Sequence, residues 1–121
     1  MDGFIFRHLE EHSMTNIEYL TVGQYDFFEK VEINDDGHFT VESGSYKSKR
    51  PRSGLLTTEN RKALDRLVED LPQKFSNVNG DRSFAARLTV DSDHGRREYW
   101  IHPSADRPPA LGQLVNFIRA L

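Results

Sequence analysis

The stretch Phe27 to Val41 constrains this chain most. Two apolar runs flank Asn34-Asp35-Asp36-Gly37, a cluster of turn-forming residues, and the hydrophobic pattern selects one register for the hairpin. A two-residue loop at Asp36-Gly37 sets Ile33 against Thr40 and Val31 against Glu42. A three-residue loop, Asp35-Asp36-Gly37, instead pairs Ile33 with Phe39 and Val31 with Val41, which keeps one face apolar. That loop is a type I turn closed by a glycine in the left-handed conformation. The opposite face then carries Lys30 against Glu42, an expected ion pair, and Phe28 against Gly44.

A second hairpin follows the same logic. Phe84, Ala86, Leu88 and Val90 alternate with Ala85, Arg87, Thr89 and Asp91, and Ser92-Asp93-His94-Gly95 turns the chain. The return strand alternates Arg97, Tyr99 and Ile101 with Arg96, Glu98, Trp100 and His102. A four-residue loop sets Asp91 opposite Arg96 and Leu88 opposite Tyr99, whereas a tighter one at His94-Gly95 opposes Asp91 and Glu98, like charges. The longer loop is preferred. Either register leaves Trp100 on the face away from Leu88 and Ile101.

Ile17 to Val22 is β-branched and aromatic and ends at Gly23, which predicts a short strand. Thr57 or Thr58 caps a helix running to about Leu71, with Ala63, Leu64, Leu67, Val68 and Leu71 on one stripe and Pro72 as its stop. Pro108-Pro109 opens a second helix, whose stripe holds Ala110, Leu111, Leu114, Val115, Ile118 and Leu121. Lys47 to Gly54 reads as a basic loop and Gln73 to Ser83 as another. The order ββ(β)-α-ββ-α predicts an α+β fold: an antiparallel sheet of four to five strands with two helices packed on one face. Residues 14–121 are read as a single domain, and Met1–Ser13 as a tail or extended start.

Composition narrows the function. Sixteen Lys and Arg against nineteen Asp and Glu give a net charge of −3, which argues against a general nucleic-acid binder. No apolar run approaches the ~20 residues of a spanning helix. The chain lacks cysteine, so disulfides, thiol catalysis and cysteine-ligated zinc are excluded. Met1–Ser13 has no secretory h-region, and a cytoplasmic location is expected.

Motifs that suggest catalysis or metal binding fail on context. His8-Leu9-Glu10-Glu11-His12 matches the H-x-x-E-H pattern of inverted zincins, but such peptidases need a large fold and a third ligand far downstream. Asp91-x-Asp93-x-Gly95 lacks the remaining oxygen ligands of a calcium loop. There is no phosphate loop and no G-x-S-x-G. His38 and His94 sit in turns, and Asp35/Asp36 and Glu69/Asp70 are neighbours on polar surfaces. No catalytic residue, metal ligand or cofactor is expected.

Two features point to binding. Lys47, Lys49, Arg50 and Arg52, with Tyr46 beside them, offer positive charge to phosphates or to an acidic protein surface; the bland alternative is a solvated loop. Trp100 and Phe28 fall on the face opposite the core, with Arg87 and His102 near Trp100, the composition of a binding hot spot. The alternative there is a face covered by the N-terminal segment or a loop.

Leu55-Leu56-Thr57-Thr58-Glu59 leading into Leu64-x-x-Leu67-Val68, then Leu88-Thr89-Val90-Asp91 with Gly95-Arg96-Arg97, then Pro108-Pro109-Ala110-Leu111-x-x-Leu114-Val115 resembles the emfourin family across residues 27–121. That family comprises small bacterial protein inhibitors of thermolysin-like metallopeptidases. The resemblance implies a non-enzymatic protein-binding module that inhibits or regulates such a peptidase, with any zinc belonging to the partner. The family's glycine-rich segment near the first strands is absent here; Ser43-Gly44 stands in its place, and no inhibitory residue transfers. The competing expectations are an acidic partner-binding module of the immunity-protein kind and a nucleic-acid contact through residues 47–52.

Overall fold

The computed structural model describes residues 15–22, 27–45, 51–76, 85–93, 95–102 and 106–121. Along the chain come β1 (Asn16–Val22), β2 (Phe27–Ile33), β3 (His38–Ser45), β4 (Arg52–Leu55), α1 (Thr58–Glu69), β5 (Phe75–Ser76), β6 (Ala86–Ser92), β7 (Gly95–Ile101) and α2 (Pro109–Arg119). The strands form one sheet in the order β4-β3-β2-β1-β6-β7-β5. Every neighbouring pair is antiparallel except β5 and β7.

The first hairpin takes the register that its apolar pattern demands. Ile33 pairs with Phe39, Val31 with Val41 and Phe28 with Gly44. Gly37 has φ 91°, and Asn34 accepts from its N–H at 3.0 Å while donating to His38 O at 2.8 Å. Only a residue without Cβ enters that left-handed conformation freely. The expected Lys30–Glu42 ion pair gives way to another: Lys30 Nζ lies 2.9 Å from Glu32 Oε1, two residues along the same strand and on the same face. In the second hairpin, Asp91 faces Arg96 and Leu88 faces Tyr99. The ladder runs one pair further, to Ser92 and Gly95, so the turn is tighter than the four-residue loop expected, in the same register.

Thr57 caps α1: its extended backbone turns Oγ1 to accept from Asn60 N at 3.1 Å. Pro109 occupies the first turn of α2, where no N–H is missed. Both helices pack on one face of the sheet. Leu64 and Val68 of α1 and Leu111, Leu114, Val115 and Ile118 of α2 cluster with Ile17, Tyr19, Val31, Ile33, Leu88, Val90, Tyr99 and Ile101. Each fully buried aliphatic side chain there contributes roughly 1.5–3 kcal/mol.

The sheet has seven strands among the described residues, not the four to five expected, and it is not purely antiparallel. The additional strands lie at its two edges. Arg52–Leu55, expected in a loop, pairs with β3, where Gly54 faces Phe39. A Cβ on Gly54 meets Phe39 Cζ at 2.6 Å, so the glycine admits the ring. Phe75-Ser76, also expected in a loop, runs parallel to β7 opposite Tyr99 and Trp100. The Tyr99 hydroxyl donates to Pro72 O and ties the chain after α1 to this edge. Met1–Met14, Tyr46–Arg50, Asn77–Phe84 and His94 lie outside the described residues, and with them the tail, the H-x-x-E-H motif and most of the basic loop.

Gly54→Ala is expected to cost about 1–3 kcal/mol in chemical denaturation, because the aromatic ring has to move. Burial pushes the hydroxyls of Tyr19 and Tyr99 above the ordinary tyrosine value, against opposing pulls from Arg119 and Arg97 respectively. The folded state therefore holds these protons more tightly. The contribution of these two tyrosines to stability is expected to be level below about pH 10 and to decline as pH rises through the shifted values. Tyr99→Phe should lower stability by about 1 kcal/mol at neutral pH and soften that alkaline decline, both readable from urea unfolding at stepped pH.

Candidate functional site

Strand alternation sends every second side chain of β1, β2, β6 and β7 to the far face, away from α1 and α2. Adjacent rows cross it. In one, Glu18 lies between Glu32 and Thr89, with Glu98 beyond; in the next, Leu20 lies between Lys30 and Arg87, with Trp100 beyond. Asp91 and Arg96 sit at the end nearest the turns. Together Glu18, Glu32, Arg87, Thr89, Asp91, Arg96 and Glu98 line a shallow concavity of about 310 Å³.

Its charges are paired within the face. Arg87 Nη2 lies 2.8 Å from Glu18 Oε1, and Arg96 Nη2 lies 3.2 Å from Asp91 Oδ2. The Trp100 indole donates Nε1–H to Glu98 Oε1 at 2.7 Å. Glu32 raises the Lys30 pKa, first through their hydrogen bond and then through its charge. Such exposed pairs contribute little to folding, about 0–1 kcal/mol each, but they hold long side chains in one orientation. Among the described residues, no group of three or more His, Cys, Asp or Glu is arranged to hold a metal ion. No helix of the described residues is long and apolar enough to cross a membrane.

Trp100 and Arg87 are direct cross-strand neighbours, both half-buried, and His102 follows two residues on, also half-buried. Phe28 departs from expectation. It occupies the far face opposite Gly44, as its register requires, but it is only 4% exposed and is not offered to a partner. Arg52 is exposed but belongs to a different place. It pairs with Val41 on β4, five strands and roughly 24 Å from Trp100, and shares the side of the sheet that carries the helices. Lys47, Lys49 and Arg50 lie outside the described residues. The structure thus separates Arg52 from the Trp100 face.

Sequence reasoning missed Glu18 and Glu98, the acceptors that orient Arg87 and Trp100. Their signal is the period-two alternation itself, which places both on the far face. His38, expected to be an unspecialised turn residue, is exposed at the start of β3 with Nδ1 2.9 Å from Asp36 Oδ2. His38 donates its backbone N–H to the same carboxylate at 3.0 Å, and these bonds lower the Asp36 pKa.

Arg97 is the outlier on the core side. It alternates in phase with Tyr99 and Ile101 and is 8% exposed. Its Nε and Nη2 are enclosed and make no hydrogen bond, which leaves one fork of the guanidinium unsatisfied. Arg87 Nε is enclosed without a partner as well.

No protein-family model matches the chain, and no curated protein matches its sequence.

A buried, unsatisfied guanidinium edge is a net cost to folding. Arg97→Met is expected to raise the unfolding free energy by about 1–3 kcal/mol in urea titration. A loss of stability instead means that the arginine is satisfied in solution.

Proposed function

We propose that this chain is a non-enzymatic protein-binding module that docks through the far face of its sheet, and that its partner is a thermolysin-like metallopeptidase which it inhibits or regulates. The observation that carries the binding reading is the pair Trp100 and Arg87, each held by its own carboxylate on adjacent strands. Trp and Arg dominate interface energetics, and side chains already fixed in orientation lose less entropy on association. The neighbouring concavity, with Glu32, Arg96 and Glu98 exposed around it, supplies the polar rim that surrounds such anchors. The peptidase class is supported by the emfourin-like residues alone, from Leu55–Glu59 through Pro108–Val115.

Titration of the protein into a panel of thermolysin-type zinc peptidases is expected to give near-stoichiometric inhibition above the dissociation constant. Trp100→Ala should weaken it at least about 30-fold, the equivalent of a hot-spot loss of about 2 kcal/mol. Silence across the whole panel removes the peptidase from the reading. Inhibition that survives Trp100→Ala unchanged removes the far face.

A further inference from the structure

We infer that the concavity on the far face receives an arginine or lysine side chain of the docking partner, so that the partner meets this sheet with a basic segment. The site is part of the far-face docking surface and rests on that reading. Glu18, Glu32, Asp91 and Glu98 line the concavity together with Arg87 and Arg96, four carboxylates against two guanidinium groups and a net charge of −2. Each carboxylate gives one oxygen to a neighbour on the face: Glu18 to Arg87, Glu32 to Lys30, Asp91 to Arg96 and Glu98 to the Trp100 indole. The second oxygen of each has no hydrogen-bond partner among the described residues.

Those four oxygens make the concavity rich in acceptors. A guanidinium carries five N–H donors and an ammonium three, and neither accepts, so either one matches the lining. Hydrogen bonds between ionised partners are about twice as strong as neutral ones. An anion is not favoured. Arg87 and Arg96 already face carboxylates, and an anion has to displace one of these to be held. The concavity is shallow and its rim hydrated, so the contact selects and steers a partner more than it tightens the complex.

The surroundings keep the same sign. In the next row Lys30 and Glu42 are cross-strand neighbours and offset one another in charge. The two hairpin turns beside the concavity add Asp35, Asp36 and Asp93, all exposed. Arg61, which reaches the first turn from α1, donates to the Asp35 carbonyl. A second copy meets this face with the same sign, and Met1–Ser13 carries Asp2, Glu10 and Glu11 against Arg7, so neither complements it. Lys47, Lys49 and Arg50 belong to the connection that leaves β3 at Ser45, roughly 17 Å along the strand from the row that holds Glu32.

The probe is an acetylated, amidated pentapeptide alternating glycine with arginine, titrated at low salt into the isotope-labelled chain and followed by amide chemical shifts. Shifts are expected at Glu18, Glu32, Thr89, Asp91 and Glu98, fading as salt rises. The same peptide with citrulline for arginine keeps the shape without the charge and should leave them unmoved. Glu32→Gln and Glu98→Gln, both at exposed positions, retain an oxygen acceptor for Lys30 and Trp100. Each should weaken binding about threefold and the two together about tenfold. The wild-type shifts are a readout independent of how any variant folds. No shifts with the arginine peptide, equal shifts with the citrulline peptide, or shifts confined to other elements overturn the proposal. Overhauser contacts from residues 1–13 or 46–50 to the Glu18 row in the free chain overturn it in favour of the chain's own segment. A dimer in sedimentation whose dissociation moves these amides overturns it in favour of a second copy. A silent peptide, with inhibition still lost in Trp100→Ala, sinks the cation site and leaves the docking face. Peptide shifts in the concavity, with inhibition indifferent to Trp100→Ala, keep the site and remove the peptidase from it.

Discussion

One-sided packing is the constraint on which the rest of this molecule depends. Leu111 and Leu114 of α2 and Leu88, Val90, Tyr99 and Ile101 of the central strands are wholly buried against one another. With α1 beside α2 on that same face, the pleat leaves the intervening residues of each strand on the other side. Those residues are Glu18, Leu20, Arg87, Thr89, Glu98 and Trp100. Core packing and surface display are thus two consequences of one alternation. A one-residue slip of β7 moves Trp100 into the helices and Tyr99 out of them.

The two faces treat charge differently. On the far face, Arg87 and Arg96 each reach a carboxylate within hydrogen-bonding distance, although Arg87 Nε is enclosed without a partner, and such pairing orients more than it stabilises. On the helix side, Arg97 is enclosed with one fork of its guanidinium unmatched. Burial makes that arrangement costly, because the donors have given up water without gaining acceptors. Tyr99, next along the same face, resolves the problem differently: its hydroxyl reaches Pro72 O and fastens β5 to the edge of β7.

Much of the fold was legible because it is written in local periodicity. Asn34 to Gly37 and the alternation around it specify the first hairpin to the residue, and the Asp91–Arg96 pairing specifies the second. Thr57 and Pro109 mark helix starts through chemistry that acts within one turn. The edge strands were not legible. β5 has two residues and no period, and β4 is built from Arg, Ser, Gly and Leu, a composition that reads as loop. Both become strands because a neighbour already in place offers an unpaired ladder. Of the candidate contact residues, Trp100 and Arg87 come together because they share a cross-strand pair, whereas Phe28 lies buried and Arg52 belongs to a distant edge.

The sequence alone determined which residues share a face, because period two in strands and period 3.6 in helices are backbone properties that neighbours cannot change. It thereby settled that Trp100 and Arg87 stand opposite Leu88 and Ile101. The tertiary structure alone decided which of those faces buries an arginine, how Glu18 and Glu98 orient their partners, and where the sheet ends. Each of these depends on groups far apart in the chain. Sidedness follows from covalent geometry within a few residues, but burial and edge pairing depend on which distant elements arrive to cover or extend the sheet.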